Sequence, residues 1–131
     1  MKKKAINQGY YGLKYITVEF TGDRISSSSV DEIDHKVSEY IIKHRSPLRG
    51  VEVRFLRKTL SLSLAALGQH LGLSAPAILK WERAENERLA PINEVAVRVL
   101  FAELLGVHLT GKFSELMGAD KPTPHTFRKS A

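Results

Sequence analysis

The stretch from Leu64 to Arg83 constrains this chain more than any other part of it. Two helices that cross steeply through a short turn make demands at fixed positions. A small residue must stand where the helices meet, and Gly68 does. Four residues on, the turn needs a residue that tolerates positive φ, and Gly72 supplies it. Leu67, Leu71, Leu73, Ile78 and Trp81 flank the turn and return as an apolar face, which places Trp81 in the core. Ser63 and Ser74 stand where each helix needs an N-cap. Together these residues predict a helix-turn-helix, its second helix running from the Ser74 cap to Arg83.

The flanking segments extend the pattern. A helix is predicted over Gly50 to Thr59, burying Val53, Leu56 and Leu60. Pro91 opens another, Gly106 stops it after Leu105, and a short last helix runs from Lys112 to Met117. Upstream, Tyr10, Tyr11, Leu13, Tyr15, Ile16, Val18 and Phe20 read as a strand region, and Thr21-Gly22-Asp23 as a turn. Val30, Ile33, Val37, Tyr40 and Ile41 predict a helix capped by Ser29 and ended by Ser46-Pro47. Ser26 to Ser29 reads as a connector. The organisation expected is a strand-and-helix segment (1–47), a helical domain (48–117) and a flexible tail (118–131) holding Pro122, Pro124 and Arg128-Lys129.

Composition narrows the function classes. A net charge of +6 and a pI near 9.7 suit a polyanionic partner. Residues 48–90 are the most basic block, with seven Lys/Arg against four Asp/Glu. The absence of cysteine excludes disulfides and thiolate zinc sites. His35, His44, His70, His108 and His125 show no ligand spacing, and no Ser/His/Asp or paired-carboxylate arrangement stands out. Asp31, Asp34 and His35 share one helix face and read as a solvated surface. No metal, cofactor or enzymatic activity is expected. No apolar run nears the roughly 18 residues a membrane span needs. Met-Lys-Lys-Lys leads into no apolar h-region, so a cytoplasmic protein is expected.

At Arg57 to Glu82 the chain resembles the Xre family of Cro- and phage-repressor-like domains, with Leu-Gly-Leu-Ser at 71–74 and Trp-Glu-Arg at 81–83. Leu-Leu-Gly-Val at 104–107 extends the likeness, which covers roughly 48–117. The entry segment from Leu48 to Lys58 is similar to that of MqsA-like antitoxin regulators, though without their zinc-binding cysteines. Where the family places Gln at the start of the second helix, this chain has Leu64. The resemblance implies a mostly α fold: a five-helix repressor-like domain with a small N-terminal strand-and-helix segment. It also implies a sequence-specific DNA-binding transcriptional regulator, a repressor working as a homodimer on a palindromic double-stranded operator. Two roles stay open for residues 1–47: binding a toxin, in an antitoxin that regulates its own operon, or dimerising and sensing in a stand-alone repressor.

The same resemblance assigns the residues. Ala75, Pro76 and Lys80 match positions that face base edges; Lys80 suits guanine O6/N7, and Ala75 and Pro76 suit a thymine methyl. Ser74 and Leu79 also point outward on a helical wheel, Leu79 as either a methyl contact or a packing residue. Ser63, Arg83 and Arg88 are the candidates for phosphate, with Arg49, Arg54 and Lys58 and the lysines at 2–4 behind them. The family pairs Glu82 with an arginine in the first helix, and Arg57 occupies that place as a structural partner.

Overall fold

The computed structural model describes residues 4–22 and 25–130. Asp23, which closes the expected turn, and Lys2 and Lys3 of the basic start lie outside the described residues. Among the described residues the order is β1 (Lys4–Tyr10), β2 (Leu13–Thr21), α1 (Ser27–Lys43), α2 (Gly50–Thr59), α3 (Leu64–Leu71), α4 (Ala75–Arg83), α5 (Pro91–Leu105), α6 (Phe113–Leu116) and β3 (His125–Ser130).

This corrects the expected architecture. In place of a mostly α, five-helix repressor-like domain with a small appendage stands a mixed three-stranded sheet, β1-β2-β3, combined with six helices among the described residues. β1 and β2 form an antiparallel hairpin that turns at Tyr11-Gly12. β3 runs parallel to β2, with Ile16 opposite His125 and Thr21 opposite Ser130. The tail expected to be flexible is thus the third strand. Its hydrogen bonds come from a strand at the other end of the chain, and such a pairing leaves no local periodicity to read.

Central position explains the composition of β2. Ile16, Val18 and Phe20 are buried at alternate positions, while Leu13 and Tyr15 are buried on the opposite parity. Ile33, Val37, Tyr40 and Ile41 of α1 join the same core. The cap of α1 is Ser26, whose Oγ accepts from the Ser29 amide at 3.2 Å, so the serine run is the first helical turn instead of a connector. Adjacent serines are equivalent caps, and the earlier one gives the longer helix. Tyr40 Oη donates to the Thr123 carbonyl at 2.6 Å and tethers the approach to β3. α2, α3, α4 and α5 span the residues predicted for them.

One hydrophobic cluster runs across residue 47, uniting Ile41 and Ile42 with Leu48, Val51, Leu56 and Phe101. Buried charges bind the parts further. Arg98 of α5 is fully buried and donates to the carbonyls of Ile41, Ile42, Ser46 and Leu116 at 2.6–3.3 Å. Glu94, also fully buried, accepts from the Leu48 amide, the Gly118 amide and both Nε and Nη2 of Arg88.

Burial alone would raise the Glu94 pKa, but these donors outweigh it and hold the carboxyl below its ordinary value of 4.5. A depressed folded-state pKa contributes stability that is complete above the unfolded value and is lost as pH falls through the folded one. The wild-type melting temperature should therefore fall as pH drops below about 4.5. Glu94→Gln should show a shallower fall over that window. Identical pH slopes for the two proteins would show that Glu94 does not couple to folding.

Candidate nucleic-acid interface

The α3–α4 pair is built from local rules. Ser63 Oγ accepts from the Ala66 amide at 3.0 Å, and Ser74 Oγ from the Ala77 amide at 3.3 Å. Gly72 takes a left-handed φ of 70° at the end of α3, which L side chains rarely adopt. A Cβ on Gly68 would collide with the Leu73 carbonyl oxygen, so the helix and the turn touch backbone to backbone. Sequence reasoning missed a second such approach. A Cβ on Gly50 would meet the Trp81 carbonyl, which seats the start of α2 on the end of α4. The one signal was a glycine in a first helical turn, a position where most residues cost less.

Arg57 and Glu82 lock the same two helices from the side. Arg57 Nε and Nη2 donate to the two carboxylate oxygens at 2.6 and 2.8 Å, and Nη1 reaches the Leu62 carbonyl at 2.9 Å. Glu82 is buried. Ile78 is buried and Trp81 half-buried, so the inner face of α4 is held along its length. The opposite face is open. Ser74, Pro76, Lys80 and Arg83 are exposed, and Ala75 and Leu79 are half-buried. Leu79 therefore packs in part and keeps some surface.

Most arginines in the basic block are already engaged. Arg49 pairs with Glu52 at 2.6 Å, Arg54 with Glu85 at 2.8 Å, and Arg57 with Glu82. Arg88, one of the phosphate candidates, commits Nε and Nη2 to Glu94 and the Gly118 carbonyl and keeps a third of its side chain exposed. A fully buried carboxylate requires a cation, and Arg88 is that cation. Among the described residues of this block, Lys58, Lys80 and Arg83 form no ion pair, and the last two lie on α4. At the start of α3 the Leu64 and Ala65 amides have no backbone partner, which suits them to an anion. Ser63 itself spends its oxygen on the cap.

The three comparisons are negative: no family model, curated protein or solved structure matches the chain. No described helix is long and apolar enough to cross a membrane.

Proposed function

We propose that the chain is a sequence-specific DNA-binding transcriptional regulator acting as a repressor. One observation carries this reading: α4 is braced along one face and keeps Pro76, Lys80 and Arg83 exposed along the other, with its cap Ser74 also exposed. In this mechanism α4 enters the major groove, where Lys80 donates to guanine O6/N7 and Ala75 and Pro76 touch a thymine methyl. Arg83 and the free amides at the start of α3 hold the flanking phosphates. Arg57 and Glu82 set the angle of α4 and touch no base.

A single short helix reads few base pairs, so the working unit is a homodimer whose half-sites lie one helical turn, about 34 Å, apart. α5 has an apolar face for that contact, with Ile92, Ala96 and Val99 exposed at helical spacing and Ile92 70% exposed. A toxin co-purifying with the chain would add the antitoxin role; no such partner leaves the repressor.

The test is selection of bound sites from random duplexes, followed by titration of the winner against a scrambled site. Lys80→Ala should weaken the selected site by about 1–3 kcal/mol, with little change in melting temperature. A duplex holding one half-site should bind far more weakly than the palindrome. Equal affinity of the wild type for selected and scrambled DNA would overturn the proposal.

A further inference from the structure

Away from α4, a cleft of about 660 Å³ opens between the β1–β2 hairpin tip, α1 and α2. One wall is acidic: Asp31 and Asp34 stand one helical turn apart on α1. The α2 side of the cleft is basic, with Arg54 and Lys58 one turn apart. Tyr11, 60% exposed, supplies aromatic surface and is backed by the buried ring of Phe55, their centroids 5.8 Å apart. The volume falls in the range of small-molecule sites.

The walls do not neutralise each other. Asp31, Asp34 and Lys58 form no ion pair among the described residues, so charges of both signs line the cleft without pairing there. Asp34 is aimed by Tyr10, whose hydroxyl donates to it at 2.6 Å. Arg54 is bound, but to an exposed partner, Glu85, at 2.8 Å. Unpaired charges of both signs beside an aromatic ring complement a molecule with an ammonium at one end, a carboxylate at the other and an apolar side chain.

We infer that this cleft binds a short zwitterionic peptide. Its ammonium lies against Asp31 and Asp34, its carboxylate against Lys58 and Arg54, and its side chain on Tyr11. Two extended residues place about 7 Å between an ammonium and a carboxylate, beyond the reach of a direct ion pair. Taking the carboxylate, Arg54 exchanges Glu85 for the ligand. The inference is independent of DNA binding.

Glycyl-L-phenylalanine is the probe, titrated into the full chain while amide chemical shifts are followed by NMR. Saturable shifts at Asp31, Asp34, Arg54 and Lys58 are expected. N-acetylation or C-amidation of the probe should each weaken binding by about fivefold, the upper end for an exposed ion pair. Asp31→Asn and Lys58→Ala, both at exposed positions, should weaken it similarly without moving the melting temperature. Glu85→Ala should tighten it by freeing Arg54. No saturation by about 10 mM peptide, or equal binding of the blocked and free probes, overturns the inference.

Discussion

Arg98→Met is expected to lower the stability of the protein by about 3–5 kcal/mol, a large part of what a domain of this size possesses. Methionine fills much of the space, so the loss is not one of packing. It comes from the acceptors left behind. The carbonyls of Ile41, Ile42, Ser46 and Leu116 all take protons from this one guanidinium. A buried acceptor stripped of its donor costs about 1–3 kcal/mol, and part of that is recovered where water or a neighbour moves in. Burial pushes the Arg98 pKa down to about 10, so the group is still a cation at neutral pH. Among the described residues no carboxylate bonds to it; carbonyl oxygens at the ends of α1 and α6 do, where helix dipoles present their negative ends. The shift is read from the urea midpoint at unchanged slope. A loss below about 1 kcal/mol would mean that the carbonyls find other partners and that the clamp is dispensable. The same geometry forecasts that a chain beginning at residue 48 does not fold, since Arg98 then keeps only its bond to Leu116.

Arg57→Ala should produce the second large effect, again about 3–5 kcal/mol, because it abandons Glu82 inside the protein without a counter-charge. At roughly 3 °C per kcal/mol the melting temperature falls by about 9–15 °C. The proposed DNA binding should also fail at temperatures where the variant is still folded, since α4 has lost its brace against α2. Arg57→Leu combined with Glu82→Leu should regain part of the stability, because neither charge is then stranded. If Arg57→Ala melts with the wild type, the pair is not the brace described above. The contrast with Lys80→Ala separates a residue that holds the helix from one proposed to read a base.

What could be read in the sequence was whatever depends on neighbours within a few positions. Ser63, Gly72, Ser74, Pro91 and Gly106 act on the turn they sit in, and the helices they bound appear in place. Gly68 was legible because its helix and turn partners are five or six residues away. β3 was not, because its sequence has a single large apolar residue and its partner strand is remote. β1 was missed for a related reason: Asn7, Gln8 and Gly9 are poor strand formers that an edge position tolerates. Among the site residues, Arg88 shows the limit of counting charges. Nothing local reveals that Glu94, six residues on, is fully buried and claims it. Asp31 and Asp34 show the converse, an apparently solvated face that turns out to line a cleft.

Because β3 lies parallel to β2, the sheet joins segments whose side chains meet across 109 positions, as Glu19 and Arg128 do. A ribosome delivers β2 long before it delivers its partner. Until residue 130 has emerged, one edge of β2 is bare and the Tyr40 hydroxyl has no Thr123 to hold. Loop closure over such a distance is slow, so final folding trails synthesis, and the growing chain passes through a period in which an unpaired strand invites chaperones or self-association.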